Sequence, residues 1–454
     1  MADPRTAEEV LLTGWGRTAP TPARLVAVHG PEDAAAVLAA RTPRGVVARG
    51  LARSYNDAAQ NAGGHVLDMT AADRVLDVDL AAGEVEVEAG ISLDRLMNLF
   101  VPMGLFVPVT PGTRYVTVGG AVAADIHGKN HHVAGTFSEH VAWLDLLTAD
   151  GEVRRVGPDR DPELFWATAG GMGLTGVILR ARIRMKPVES SRIVVDTDRT
   201  PDLDSLMSLM AGTDHLYDYS VAWIDCVARG ARMGRSVLTR GRFARRDELA
   251  PEQQADPLRY SGRVRLSAPG VFPPGLLNPA TVAAFNEVWY RKSPRRKRDQ
   301  LQTIGAFFHP LDGVGSWNRV YGPRGFVQYQ FVVPDGREEA MRRALERISR
   351  SGHASFLAVL KRFGEGNPGM LSFPLPGWTL ALDIPVVSGL AALLDELDEL
   401  VVGAGGRVYL AKDPRVRPEV LEQMYPRLGA FRDVRRRVDP EGVFTSDLAR
   451  RLSL

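Results

Sequence analysis

The chain has 454 residues, 45% of them hydrophobic, with 56 basic and 54 acidic side chains and a formal charge of +2. That length predicts two domains with a large buried core, and the near-balance of charge excludes a global electrostatic case for nucleic-acid binding. A lone cysteine, Cys226, excludes an internal disulfide framework and a thiolate metal cluster.

The N-terminal MADPRTAEEV carries acidic residues and no apolar core, so it does not read as a secretory signal. No stretch approaches the ~18 apolar residues of a spanning helix, which predicts a soluble protein with only peripheral membrane contact. Short strands and helices then alternate over residues 20–190. Residues 45–49 read as a buried strand feeding RGLARSYNDAAQN at 49–61, where Gly50, Ser54 and Asn56 suit an anion nest of successive backbone N–H groups. Residues 65–69 and 85–89 read as strands, the second alternating Val and Glu, and Ser92 as the N-cap of a helix reaching about Phe100.

The segment PGTRYVTVGGAVAADIHGKNHHVAGTFSEH, 111–140, holds five glycines, four of the nine histidines and a lysine. Gly119 and Gly120, followed by Ala121, Ala123 and Ala124, let a backbone approach a flat or phosphorylated ligand. His127, Lys129, His131 and His132 place polar groups beside it; a tight helix crossing followed by a surface loop is the plain alternative. Gly128 and Asn130 oppose the helix that would align His127 with His131, so no metal site is expected.

Residues 143–148 and 152–156 flank Asp150-Gly151, a hairpin signal, and residues 161–169 read as a short helix. Gly171 to Gly176 satisfies GxGxxG, yet residues 177–186 alternate apolar and basic side chains. A dinucleotide fingerprint must open a helix; this one opens a strand. After Pro187, strands at 219–226, 326–333, 356–363 and 379–384, with amphipathic helices at 337–350 and 390–402, predict an antiparallel sheet backed by helices. Residues 240–300 hold an apolar Pro/Gly-rich stretch at 267–277 and a basic cluster at 291–298, the pattern that a lid over a lipid phosphate or a patch resting on anionic lipid would show, with a mobile solvated loop that binds no ligand as the plain alternative. A final strand at 407–411 precedes an Arg-rich helical tail.

The loops at 49–61 and 111–140 together resemble the flavin-binding fold of the vanillyl-alcohol oxidase superfamily. Within it the chain is similar nearly end to end to the decaprenylphosphoryl-ribose oxidases, flavoenzymes of actinobacterial arabinan synthesis. The shared motifs are LTGWGRTAP, HGKNHH, ELFWAT, GLTG, EVWYRKS, FHPLD, FVQYQFV, LSFPLPGW, AKD, VDPEGVF and SDLARRL. The resemblance implies an α+β fold of two domains: an FAD-binding domain over 1–190, an antiparallel-sheet substrate domain over 191–406 with a mobile 240–300 region, and a return of 407–454 to the FAD domain.

It places FAD against Arg49, Gly50, Leu51, Ala52, Arg53, Ser54, Tyr55 and Asn56. A second group is Gly112, Thr113, Val116, Thr117, Gly119, Gly120 and Ala124. His127, Gly128, Asn130, His131, Gly176, Val177, Tyr409 and Lys412 complete the cofactor set. Lys129, Trp223, Phe308, Gln328, Gln330, Lys361 and Ala381 fall on the substrate side.

Oxidising a secondary alcohol by hydride transfer needs a group to take the hydroxyl proton and positive charge near the reduced flavin. Lys412 and His127 are the catalytic candidates, with the choice of proton acceptor open between them. Gln328 and Gln330 share a strand face and suit sugar hydroxyls, while Lys361 could meet a phosphate.

Several residues depart from the family pattern. Residues 49–61 contain no histidine, so FAD is expected to be non-covalent. Glycine is frequent in relatives at Ala52 and Asn56, which puts the backbone at Ala52 in question. Ala381 stands where the mycobacterial branch has cysteine, and Phe308 where tyrosine is frequent.

The implied reaction converts the ribose 2-hydroxyl of a polyprenylphosphoryl-β-D-ribose to a ketone. A separate NAD(P)H-dependent keto-reductase completes the epimerisation, and a quinone or oxygen takes the electrons. The competing readings are an alditol or sugar-lactone oxidase of the same fold and an inactive flavin-binding subunit. The N-terminus implies a cytoplasmic location, the family resemblance a cell-envelope one.

Overall fold

A computed structural model describes residues 7–262, 266–267, 278–353, 355 and 357–454. Three sheets carry the fold. The first, of four strands, runs in the order Glu8–Leu12, Thr21–Ala27, His65–Asp68, Val46–Arg49, with the last three strands parallel. Its Val26, Val46 and Leu67 pack against the helix Pro31–Ala39 through Ala34, Val37 and Leu38.

The second sheet is antiparallel, in the order Val75–Asp79, Glu84–Glu88, Val177–Arg184, Val141–Leu147, Val153–Val156. The predicted alternation holds on its second strand, where Val85 and Val87 are fully buried while Glu84 and Glu86 are half-buried. The Asp150-Gly151 turn closes the hairpin between Val141–Leu147 and Val153–Val156, with Gly151 at φ 84°. Ser92 caps the helix Leu93–Phe100 by accepting from Arg95 N at 3.1 Å. The GxGxxG turn leads into the strand Val177–Arg184, as its alternation predicts.

The third sheet has eight strands, in the order Arg296–Thr303, Arg192–Thr200, Ser236–Phe243, Tyr219–Ile224, Ala358–Phe363, Gly377–Pro385, Phe326–Pro334, Arg407–Val408. The helices Glu338–Ser351 and Leu390–Gly403 pack together, each presenting apolar residues such as Met341, Leu345, Leu394 and Leu397 to the core. Both match their predicted ranges to within a residue.

Two expectations change, and a third falls mostly outside the described residues. The basic cluster at 291–298 spans the end of the helix Pro279–Lys292 and the start of the edge strand Arg296–Thr303, so it is regular structure rather than loop. Its charges had hidden a strand whose exposed edge tolerates them. Of the apolar 267–277 stretch only the backbone of residue 267 is described, paired in parallel with residue 315; the rest lies outside the described residues. Finally, the strand expected at 407–411 ends at Val408, and a turn follows in which the N–H groups of Lys412 and Asp413 both donate to Tyr409 O.

The C-terminal residues reach back to the first sheet. Val46 N donates to Val443 O and Thr445 N to Val46 O, and Phe444 packs among Val26, Val28 and Leu67. Asp439 holds that return by accepting from both Val443 N and Phe444 N at 2.7 Å.

Candidate active site

A cavity of about 840 Å³ lies where the first loop, the glycine-rich turn and one face of the eight-stranded sheet meet. That volume suits a large cofactor together with part of a second ligand.

On the loop side, Thr117 caps the helix Val118–Ala123 by accepting from Gly120 N at 3.2 Å. Gly50 fits directly against this cap: a methyl there would overlap the Thr117 hydroxyl and lie 2.9 Å from its Cγ2. A methyl on Gly119 would press on Ala89 at 3.1 Å, so the turn is seated on the second sheet by its lack of side chains. Among the described residues the N–H groups of Leu51, Ala52, Arg53 and Ser54 donate to no protein acceptor. Four unspent donors beside a glycine wall are what an anionic ligand requires.

Ala52 has φ 55°, in the left-handed region that disfavours a Cβ. Asn56 instead is extended, at φ −118°, and acts as a strap. Its Nδ2 donates to Leu410 O and Asp413 O at 2.6 Å, while Tyr55 N donates to Ala411 O at 3.0 Å. Those bonds fix the Lys412 turn against the first loop. Ala52→Gly is expected to raise unfolding stability by about 1 kcal/mol, read as a higher Tm in a thermal melt.

On the sheet side, register builds the wall. Gln330 pairs with Ala381, Ala381 with Val359, Val359 with Trp223, and Trp223 with Val237, giving one row across five strands. All five line the cavity, as do Gln328 and Lys361. Phe308 reaches the wall too, its ring edge-on to Tyr219 at 4.8 Å. Strand alternation presents every second residue to the same side, so the opposite face packs the helices.

Three lysines, Lys129, Lys361 and Lys412, line this cavity, while Asp312 is the one carboxylate on its wall among the described residues. Burial pushes Lys361 down to about 8. Burial, and then the charge of Lys361, push Lys129 down to about 7; its ammonium donates to Phe307 O. Lys412 sits over the Tyr55 ring, its Nζ 3.9 Å from the centroid. Burial lowers its pKa, with Asp383 opposing the shift and Lys361 adding to it.

His127 is buried, and desolvation first, then Lys361, His131 and Lys412, hold its pKa well below the ordinary value. The imidazole is therefore neutral. Gln330 Nε2 lies 2.9 Å from His127 Nε2 and 3.3 Å from Thr379 Oγ1, and the Thr379 hydroxyl is spent on Phe331 O at 2.9 Å. Both amide hydrogens of Gln330 are thus donated, one of them to His127 Nε2, which assigns the ring proton to Nδ1. That Nδ1 is buried with no protein partner. It is a donor left for a ligand oxygen.

Comparison with known proteins bears on what binds here. Over 450 residues the chain is 49% identical to the decaprenylphosphoryl-β-D-ribose oxidase of Mycolicibacterium smegmatis, covering 98% of this chain and 97% of that protein. The chain belongs to the decaprenylphosphoryl-β-D-ribose oxidase family. It is an FAD-dependent oxidoreductase with a two-domain α+β fold of the vanillyl-alcohol oxidase type. The FAD binding domain family matches residues 22–157, and the D-arabinono-1,4-lactone oxidase family matches residues 387–452. An uncharacterised Streptomyces coelicolor protein is 45% identical over 374 residues, 80% of this chain and all of that one. The L-gulono-1,4-lactone dehydrogenase of Mycobacterium tuberculosis is 25% identical over 455 residues, 97% of this chain and 98% of that protein.

The residues present fit FAD: a wall stripped of side chains at Gly50 and Gly120, free loop N–H donors, and the orphaned Nδ1 of His127. Of the positions expected at the cofactor, the loop residues 49–56, Gly112, Thr113, Val116, Thr117, Gly119, Gly120, Ala124, His127, Gly128, Gly176, Tyr409 and Lys412 all line the cavity. Three expected positions do not. Val177 points the other way along its strand and packs with Val26 and Phe444, while Gly176 and Ile178 face the cavity. Asn130 is spent on the segment before the helix Val118–Ala123, donating to Pro108 O at 2.9 Å. His131 lies behind the wall against Phe363, its Nδ1 accepting from Gly364 N at 3.2 Å.

Two residues escaped the sequence reading. Asp312, on the wall, accepts from Arg114 N at 2.8 Å. Asp383 lies beside Gln328 across the ladder, and Gln328 Nε2 donates to it at 2.5 Å. Its signal was a lone carboxylate in the otherwise apolar strand GWTLALDIP.

Proposed function

We propose that this protein oxidises the 2-hydroxyl of a polyprenylphosphoryl-β-D-ribose to the 2-keto sugar. The observation that carries the reading is a pair of buried lysines, Lys129 and Lys361, on a cavity whose wall holds one carboxylate among the described residues. Burying uncompensated ammonium groups is costly, and a bound phosphate removes that cost. FAD, when bound, accepts the hydride leaving the carbinol carbon.

The hydroxyl proton goes to Lys412, whose lowered pKa supplies a neutral amine at working pH. His127 is the weaker candidate for that role, because its acceptor nitrogen is already occupied by Gln330. It donates through Nδ1 and orients an oxygen instead. Lys361 and Lys129 meet the phosphate, and Gln328 and Gln330 the sugar. Trp223 and Val359 give the lipid end an apolar wall.

FAD binds without a covalent link in this reading, since the first loop, residues 49–61, holds no histidine and no cysteine lines the cavity among the described residues. The exposed basic residues Arg291, Lys292, Arg295 and Arg296, next to the exposed Phe285 and Trp289, favour peripheral contact with an anionic membrane. The product ketone calls for an NAD(P)H-dependent reductase to complete epimerisation toward the arabinose donor for arabinan. A quinone or oxygen reoxidises the flavin. The same exposed, basic and apolar face suits an enzyme working at the cell envelope.

A sugar-lactone or alditol oxidase is the second reading, favoured by the match of residues 387–452 to the arabinonolactone oxidase family. That match includes Lys412 but neither Lys129 nor Lys361, the two cations left for a phosphate. Turnover of farnesylphosphoryl ribose beside xylitol and a sugar lactone separates the two. Bleaching of the flavin by the lipid phosphate alone is expected, and bleaching by the lactone or polyol alone overturns the reading.

Lys361→Met is expected to raise KM for the ribosyl phosphate by about 10–100-fold with kcat less affected, the worth of one charged hydrogen bond. In the intact enzyme kcat/KM falls above about pH 8, where the empty site loses the Lys361 proton. In the variant only Lys129 is left to give such a limb, and its pKa rises once the Lys361 charge is gone.

A further inference from the structure

The helix Pro279–Lys292 turns its large apolar residues outward. Its buried residues are Val282 and Asn286, and Asn286 Nδ2 donates to the buried Asp225 Oδ1 at 2.7 Å. Arg235 ties Asp225 to Glu287, with Nε 2.9 Å from Asp225 Oδ2 and one Nη 2.5 Å from Glu287 Oε2. The Tyr290 hydroxyl donates to Thr200 O at 3.1 Å. Phe285, Val288 and Trp289 are instead 46%, 65% and 44% exposed. A surface helix ordinarily buries such residues and shows its polar ones. The Phe285 and Trp289 rings, one helical turn apart, are stacked at 13° with centroids 6.2 Å apart.

Both rings belong to the cavity, which they line together with Trp223, Val237, Val359 and Lys361. Strand register sets the order along the wall. Val359 and Lys361 share a face of the strand Ala358–Phe363, and Trp223 pairs with Val359. The two strands are antiparallel, so Asp225, two residues past Trp223, lies on the side away from Lys361. Asp225 and Arg235 stand just past the ends of the strands that carry Trp223 and Val237, and they hold the helix. From Lys361 the wall therefore runs past Val359 and Trp223 toward Phe285 and Trp289. Four residues of strand separate the Lys361 row from Asp225, about 14 Å. A single isoprene unit is shorter than that, and three in a row reach it.

We infer that Phe285 and Trp289 form the subsite for the lipid tail of the substrate and give the enzyme a preference for a long prenyl chain over a short one. With the phosphate on Lys361 and Lys129, the first isoprene units lie against Val359 and Trp223, and the next cross the stacked rings. Apolar surface left open at the cavity mouth is covered when that chain binds, a gain proportional to the area removed from water. That the ligand is a prenyl phosphate rests on the ribosyl-lipid reading; the path of its chain does not depend on the ribose being oxidised.

The test is calorimetric titration of the FAD-loaded full chain with farnesyl phosphate and with dimethylallyl phosphate, in buffer free of vesicles and detergent. Wild type is expected to bind the farnesyl compound about 100-fold more tightly. Phe285→Gln combined with Trp289→Gln is expected to cut that ratio about tenfold, by weakening farnesyl phosphate alone. Both positions are exposed and Gln suits a helix, so the fold is kept. Either single substitution gives part of the loss. Equal affinities in wild type, or a ratio that the double variant leaves in place, overturn the inference. So does a double variant that keeps the ratio but loses binding to phosphatidylglycerol vesicles, which would make the pair a membrane anchor. No sugar enters the titration, so failure of the ribosyl-lipid reading shows separately, as absent turnover of farnesylphosphoryl ribose with the ratio intact.

Discussion

Lys412→Ala is expected to give a protein that stays yellow when the ribosyl lipid is added. FAD remains bound, because the turn carrying Lys412 is held by its backbone: Tyr55 N to Ala411 O, and the Asn56 amide to Leu410 O and Asp413 O. What disappears is a neutral amine able to take the hydroxyl proton and become an ammonium beside the flavin. Removing a general base costs about 10²–10⁴-fold, and losing charge stabilisation of the reduced ring adds to it. Anaerobic stopped-flow absorbance of the flavin band is the measurement, with Lys412→Met alongside to keep the volume filled. Bleaching at the wild-type rate in both variants would take the proton-accepting role away from Lys412. His127 could not simply replace it, since Gln330 already occupies the acceptor nitrogen of that ring.

Gly50→Ala is expected to weaken cofactor binding. The new methyl would overlap the Thr117 hydroxyl that caps the helix Val118–Ala123. Either Thr117 rotates and the cap is lost, or the first loop moves away from the glycine-rich turn. Overpacking of this kind costs about 1–3 kcal/mol, and here it falls on the spacing of two surfaces that hold one ligand. FAD affinity should drop by about 10–100-fold, measured by flavin fluorescence on dilution. The paired control is Ala52→Gly two residues away, which removes a Cβ from a left-handed backbone and should keep the flavin bound. Full flavin occupancy in Gly50→Ala at micromolar protein would show that the two loops do not clamp the cofactor between them.

The elements with a strong period were legible from residues alone. The helices at 338–351 and 390–403, the Ser92 cap and the Asp-Gly hairpin all lie where their local chemistry puts them. The GxGxxG decoy was resolved the same way, because residues 177–184 alternate as a strand and cannot open a helix. Charge misled the reading at Arg296–Thr303, a strand with too many cations to look like one. Its position at the sheet edge, where one side meets solvent, removes the penalty. No local pattern states that a strand will be last in its sheet.

The sequence, read together with the family resemblance of its motifs, determined which side chains could do chemistry: His127, Lys129, Lys361, Lys412 and the two glutamines. It also determined that the turns at Gly50 and Gly119-Gly120 must lie close to something. Only the tertiary structure decided which of those residues share a cavity. It seated Val177, Asn130 and His131 away from the wall, and it brought Asp383 beside Gln328. The reason is that proximity here comes from strand register and from straps such as Asn56 to Leu410. Both join positions far apart along the chain, and neither leaves a periodic trace in it.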